Sequence, residues 1–366
     1  MRMPRQIRRS VIAVPSLLAV AAAGMTPTAT AAAGARPVSP ASLFTMSGSL
    51  SGVAAVSGRD AWAVGSTGAG TLIVHWNGRA WKRALSPSPA RTSRLSGVAA
   101  VSAKDAWAVG STGSLTSPKT LVLHWNGRAW KRVPSPAGSL SGVAATSARN
   151  AWAVGSGILH WNGRTWKRVR SPGGSLSGVA ATSARNAWAV GLTGSLTSPA
   201  TLILRWNGKV WKRAPSPGAG KHFLPFLAGV AATSARNAWT VGHSTDCGCG
   251  PGVSMTLRWD GRTWKRVHSP SPGGGTDLSG VAATSARRAW AVGLSGEGIS
   301  PTKTVILRWN GSTWMKVPSP APRADSGLSG VAATSAGRAW AVGWTSNSRK
   351  TKYQTLILGW SGSIWK

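Results

Sequence analysis

The sequence predicts an all-β fold: a seven-bladed β-propeller with four antiparallel strands per blade, behind an N-terminal signal peptide. Three observations lead there. First, one unit occurs seven times, beginning near Leu50, Leu95, Leu140, Leu176, Leu227, Leu278 and Leu328. It reads LSGVAA-x-S-x-x-x-AW-x-VG, then TL-x-L-x-W-N-G-x-x-W-K-R, then Ser-Pro. Periods of about 36–51 residues with several short strands each mark a propeller. Second, no window carries a helical period, which argues against a helical solenoid. Third, the chain holds 22 Trp against three Phe and one Tyr. The tryptophans fall at three fixed places per unit, with Trp344 as the extra one.

Residues 1–31 read as an export signal. Arg2, Arg5, Arg8 and Arg9 form a basic start, and Val11 to Ala23 is an apolar run too short to span a bilayer comfortably. Ala29-Thr30-Ala31 has the small-x-small form of a signal-peptidase site. "RRSVI" at 8–12 also resembles a twin-arginine signal. The mature protein is therefore expected to be secreted, extracellular or envelope-associated, by Sec or twin-arginine export. No later run is long and apolar enough for a membrane span. Residues 32–49 form a linker, in which "RPVSPASL" (36–43) echoes "KRVPSPAGSL" and makes this segment a candidate closing strand.

The blades are expected at 50–94, 95–139, 140–175, 176–226, 227–277, 278–327 and 328–366. "LSGVAATS" is small and β-compatible, as an innermost strand crowding a central axis must be. "NAWAVG" is the second strand, after a short Ser-Ala-Arg-Asn turn. "TLILRW" (201–206) is the third, with Leu202, Leu204 and Trp206 on one face by period two. Asn207-Gly208 reads as a two-residue hairpin turn, which would set Leu204 opposite Trp211 and Trp206 diagonal to it. "VWKRAP" is the fourth strand, ended by Pro215 and Pro217 as an outer edge strand would be. The last unit stops at "SIWK", so its fourth strand is cut short. The indoles are expected to fill the widening wedge between blades, each burying a large apolar area.

On these residues the repeat resembles secreted bacterial propellers built of Trp-Asn/Asp-Gly-x-x-Trp hairpins. It is also similar to the Asp-box (BNR) propellers, whose Ser-x-Asp-x-Gly-x-Thr-Trp box occupies the same hairpin. The resemblance covers residues 50–366 and is carried by "WNGRTW" (161–166) and "WDGRTW" (259–264). Both lack the residue between Asp and Gly, so the box is Asp-box-like. The kelch double glycine and the WD40 Gly-His…Trp-Asp signature are absent. The resemblance implies the fold. It implies function only weakly, because propellers host many functions. Some Asp-box propellers are sialidases or other glycosidases, which makes a glycoside hydrolase or lyase the enzymatic alternative.

Glycoside hydrolysis needs two carboxylates, or a Tyr nucleophile with an acid partner. The chain has 7 Asp and Glu in all. Asp60, Asp105 and Asp260 are variants of repeat positions, while Asp246, Asp277, Glu297 and Asp325 lie in inserts or linkers. Tyr353 sits in a basic loop, "NSRKTKYQ". Ser and Thr lack a His–carboxylate arrangement. His75, His124 and His160 share one repeat position on adjacent blades, too far apart for one metal. No catalytic residue, metal site or cofactor is expected. Cys247 and Cys249, in "STDCGCGPG", form a possible disulfide closing a very small loop.

Charge carries the functional expectation. There are 43 Lys and Arg, and the formal net charge is +36. Such a surface attracts polyanions. The turn after strand one carries Arg59, Lys104, Arg149, Arg185, Arg236, Arg287 and Arg338. The turn after strand three carries Arg79, Arg128, Arg164, Lys209 and Arg262. In a four-stranded antiparallel blade these turns emerge at the same end, giving a basic rim. The outer strands add a belt, Lys82-Arg83 through Lys265-Arg266, where charge also blocks edge-to-edge aggregation. The expected function is a non-catalytic binding or scaffold protein, a monomer whose rim engages an anionic polysaccharide, wall polymer or glycan. A propeller lectin with inter-blade sugar pockets lined by Trp and Arg is the alternative. No motif supports nucleic acid as the dedicated partner. The opposite rim carries the variable segments, among them "KHFLPFL" (221–227), read as an apolar loop.

Overall fold

A computed structural model describes residues 44–114, 116–195, 198–218, 223–246, 252–272, 275–296, 301–320, 325–347, 349 and 351–366. The signal segment, Cys247, Cys249, Glu297 and His222 lie outside these residues, as does the side chain of Asp246.

The seven repeats form seven antiparallel sheets, each with its strands in chain order. In blade one these are Ser49–Ser57, Asp60–Thr67, Gly70–Trp76 and Trp81–Ala84. The first strands are innermost and meet around the axis. There the glycine of each Ser-Gly-Val (Ala-Gly-Val in blade five) packs on that of the next blade, in the order Gly52, Gly97, Gly142, Gly178, Gly229, Gly280, Gly330 and back to Gly52. A Cβ on Gly280 would stand 3.1 Å from the Gly330 Cα. Only glycine permits that approach, and the axis is closed down to a lumen of about 170 Å³ lined by this Gly-Val ring. A β-bulge beside Leu50 and its equivalents bends every inner strand at this level.

The core sits between blades. Each of seven apolar clusters joins the strand-two Trp and Val of one blade to the Leu, Ala and Trp of the next. The last joins Trp340 and Val342 of blade seven to Leu50, Leu72, Trp76 and Trp81 of blade one, which closes the ring. The wedge is filled by indoles, as the sequence predicts. Trp62 meets Trp125 of the next blade at 4.9 Å and Trp130 edge-on at 5.2 Å. Trp107, Trp152, Trp188, Trp239 and Trp290 repeat the arrangement.

The hairpin differs from the expected turn. Trp206 stands directly opposite Trp211, and Leu204 opposite Arg213, so four residues rather than two form the loop. Asn207 Oδ1 accepts from the backbone N–H of Lys209 and of Val210, both at 2.9 Å. The Asn side chain thus replaces a backbone turn partner. Only the glycine is called on for positive φ, 95° at Gly208. The two indoles ending strand three and opening strand four therefore stand opposite each other across the ladder, their rings tilted by 44° with centroids 5.8 Å apart.

Blade seven has three long strands, Asp325–Ser335, Arg338–Ser346 and Tyr353–Trp360. Its fourth strand is composite. At one end Trp365 pairs with Trp360, and Lys366 exchanges backbone bonds with Gly359. At the other, Ser47 pairs with Gln354, and Thr355 N–H donates to Met46 O. Phe44 and Met46 pack on the cluster between blades seven and one.

"FLPFL" is not a loop. Phe223–Ser234 is one inner strand, with Phe226 paired to His243.

Candidate functional site

The two turns that carry the predicted cations meet at one end of each blade. The Trp76 indole N–H donates to Gly58 O in the strand one–two turn (3.2 Å), and Trp125, Trp161, Trp206, Trp259, Trp309 and Trp360 make the same bond. The hairpin glycine then lies on the side-chain stem of the turn cation, Gly208 on Arg185 and Gly261 on Arg236. Geometry thus fixes each stem while the charged head points to solvent. Arg59, Lys104, Arg149, Arg185, Arg236 and Arg287 are exposed, as are Arg79, Arg128, Arg164, Lys209 and Arg262. Among the described residues none of these eleven has its charged side chain paired with a carboxylate. Arg338 departs from the expected position. It pairs with Ser335 at the ladder end, where blade one has Asp60, and Gly337 stands at the Arg59 position.

The few carboxylates are occupied. His75 Nε2 lies 2.7 Å from Asp60 Oδ1, and His124 Nε2 2.8 Å from Asp105 Oδ1. Asp260 replaces the hairpin Asn and does its work. It accepts from Thr263 and Arg262 N–H and pairs with Lys265 at 2.9 Å. The Thr263 bond, then Lys265, then the Arg262 bond hold its carboxyl well below the usual range. Asp325 is buried and accepts from Thr302 N–H at 2.7 Å. Asp277 stands 3.6 Å from His243 Nδ1. Among the described residues no three His, Cys, Asp or Glu gather as a metal site. Belt residues are partly structural: Arg168 and Arg213 donate to Ala137 O and Gly173 O of the linkers entering their own blades.

One contact at the rim is not legible in the sequence, although the change from His to Arg at one repeat position is. The residue before the strand-three Trp covers the strand-two Trp of its own blade, and its type changes around the ring. In blades one and two it is His75 and His124, stacked on Trp62 and Trp107 at 4.1 and 4.2 Å. In blade three His160 lies 4.2 Å from Trp152 and bonds Asn150 Oδ1 at 2.8 Å. Burial holds the His160 imidazole below its usual range. In blades four to six the position is Arg205, Arg258 and Arg308. Each guanidinium lies over the strand-two Trp of its blade and the strand-three Trp of the next, as Arg205 does at 5.2 and 5.3 Å. Blade seven has Gly359, and Arg338 covers Trp340 instead, at 5.9 Å. Asp60, Asp105 and Asn150 accompany His, while Asn186, Asn237 and Arg288 accompany Arg.

Between blades four and five the rim opens into a cleft of about 570 Å³. It is lined by Arg185, Arg205, Lys212, Trp206 and Trp259, among others.

The chain is a seven-bladed β-propeller with exposed Arg and Lys at the turns at one end of blades one to six. No family model and no curated protein matches the chain. Among solved structures it is similar to YCF48 bound to a D1 peptide, with 15% identity, TM-score 0.57, and 86% of this chain and 96% of that one covered. It is similar to an ulvan lyase of polysaccharide lyase family PL25 bound to a GlcA–Rha3S unit, at 9% identity and TM-score 0.57, covering 84% and 91%. It is also similar to the GH74 xyloglucanase from Xanthomonas campestris, at 14% identity and TM-score 0.57, covering 88% of this chain and 56% of that one. At such identities the likeness is one of fold. Catalytic and non-catalytic propellers share it.

Proposed function

We propose that the protein is an exported, non-catalytic binding or scaffold propeller whose basic rim engages anionic polymers of the cell envelope or extracellular space. The observation that carries this reading is the rim itself. Eleven exposed cations stand at repeated turn positions, six of them with their stems against hairpin glycines, and none has its side chain paired with a carboxylate among the described residues. Equivalent sites on a rigid ring gain avidity for a polymer without any new contact. A fold that elsewhere holds a GlcA–Rha3S unit is compatible with such a ligand. The occupied carboxylates support the non-catalytic reading. Asp60, Asp105, Asp260 and Asp325 each serve a local hydrogen bond.

A second reading, a lectin with sugar pockets between blades, draws on the Arg- and Trp-lined cleft between blades four and five. It is opposed by the use of most indoles on each other. An array of acidic and neutral glycans probed at two salt concentrations separates the readings. Binding to acidic polymers alone, lost at about 1 M salt, supports the basic rim, because bare charge gives salt-sensitive affinity. Salt-resistant binding of one neutral sugar would support the lectin. Glycoside turnover that disappears with Asp246→Asn, Asp277→Asn, Glu297→Gln or Asp325→Asn would overturn the non-catalytic reading.

A further inference from the structure

We propose that the anionic polymer is a polysaccharide and that it runs along one arc of the rim, over blades four to six, rather than around the whole ring. This rests on the polyanion-binding reading above and narrows it. The rim is uniform at the turn cations but not at the two positions just inside them. At the ladder end of strand two, blades one and two place carboxylates, Asp60 and Asp105, which subtract from the field of Arg59 and Lys104. Blades four and five place neutral Asn186 and Asn237 there, and blade six places Arg288. At the position before the strand-three Trp, the first three blades place imidazoles. Blades four to six place Arg205, Arg258 and Arg308, each half-exposed and fixed over two indoles.

The arc therefore offers two guanidiniums per blade at matching places, Arg185 with Arg205, Arg236 with Arg258 and Arg287 with Arg308. Its one rim carboxylate among the described residues, Asp260, is paired with Lys265. The inner row is already ordered by the stacking, so binding costs little further side-chain entropy. A guanidinium over an indole can still present N–H groups to carboxylate and sulfate oxygens, although Arg258 already donates from one Nη to Ala286 O at 3.2 Å. The cleft between blades four and five, lined by Arg185, Arg205 and Lys212, is the point on the arc where one anionic sugar residue can sit below the surface. Repetition over three blades suits a chain with regularly repeated charge.

The same surface is poor for single-stranded nucleic acid, which needs open aromatic faces on which bases stack. On the rim of blades four to six the most accessible indole, Trp206, is half-buried between Trp152 and Trp211, at 4.9 and 5.8 Å. Tyr353, the one exposed aromatic among the described residues, starts strand three of blade seven, at the opposite rim.

Two triple charge reversals test the arc on the full exported chain: Arg185→Glu, Arg236→Glu and Arg287→Glu, against Arg59→Glu, Lys104→Glu and Arg149→Glu. All six residues are exposed and occupy the same turn position, so both variants remove equal charge with equal structural risk. A matched unfolding midpoint for the two variants controls for folding, and glutamine substitutions at the same positions, which remove the charge without reversing it, provide a milder pair. Affinity is measured for heparin, polygalacturonate and a single-stranded oligodeoxythymidylate. The arc predicts a loss of about tenfold or more for both polysaccharides in the first variant, with a shallower salt slope. It predicts less than about a threefold change in the second, whose charges lie on blades one to three, outside the arc, and are screened by salt. Equal losses in the two variants would overturn the arc and leave the basic rim standing. No loss in either would overturn both. Tighter binding of the oligonucleotide than of either polysaccharide, removed by the first variant, would overturn the choice of polysaccharide.

Discussion

Trp188 touches Trp259 at 4.9 Å, Trp264 edge-on at 5.1 Å and the Arg205 guanidinium at 5.2 Å, and it is fully buried. Truncating it leaves a cavity between two blades that neither can collapse to fill. Trp188→Ala is therefore expected to cost about 3–5 kcal/mol of unfolding free energy in a guanidinium titration. Trp344, the indole outside the repeat, meets only the Tyr353 ring at 5.6 Å among aromatic groups and is half-buried. Trp344→Ala should cost under about 1 kcal/mol. His160 adds a pH term. Its folded value lies below the ordinary imidazole value, so the neutral form is favoured in the folded protein. That contribution is full above about pH 6.5 and is lost as pH falls through the folded value. Unfolding midpoints compared between pH 7.5 and pH 5 should fall less in His160→Gln than in the parent protein. A larger fall in the variant would contradict the assignment. The indole roles were legible because each recurs in every unit. The bonds of His75, His124 and His160 to Asp60, Asp105 and Asn150 were not, because these partners are 10 to 19 residues apart in sequence.

At the scale of the element, the four-residue hairpin depends on one side-chain oxygen. Asn207→Ala removes the acceptor for two backbone N–H groups and is expected to cost about 1 kcal/mol, while Asn207→Asp should be nearly silent, since blade five uses Asp260 there. Chemical denaturation of the two variants checks this, and equal losses would argue against the Asn oxygen as the anchor. Strand identity and order were readable from period-two patterning and from the Asn-Gly and Pro punctuation. The register was not. An Asn-Gly pair reads as a two-residue turn unless the Asn side chain itself closes the loop, and here it does. That single change moves Trp211 from opposite Leu204 to opposite Trp206. Likewise "FLPFL" has the composition of an exposed apolar loop. Pairing with Gly242–Asp246 makes it the start of an inner strand, and Pro225 and Leu227 are buried.

At the scale of the molecule, the ring is held shut by two short pieces of chain that share one strand position. Phe44 takes the place held by Ala84, Val133 or Val169 in the other junctions, packing against the cluster between blades seven and one. A chain beginning at Ser49 is expected to unfold at lower temperature and to aggregate through the bared edge of Tyr353–Trp360. An unchanged midpoint would contradict closure by the N-terminal segment. Seven blades and their order were legible in the repeats. This closing strand was only hinted at, because a non-repeating segment carries no second copy with which to align it. Charge was legible as a total and as rim positions. Its uneven distribution around the ring depends on which neighbours sit beside each cation. The central claim is that a cationic face binds anionic polymer by charge, and the salt dependence of heparin affinity tests it most directly. The account predicts that log K falls steeply and linearly with log salt between about 50 and 500 mM, and that binding is gone near 1 M. An affinity that stays flat across that range, or no binding at the lowest salt, would contradict it.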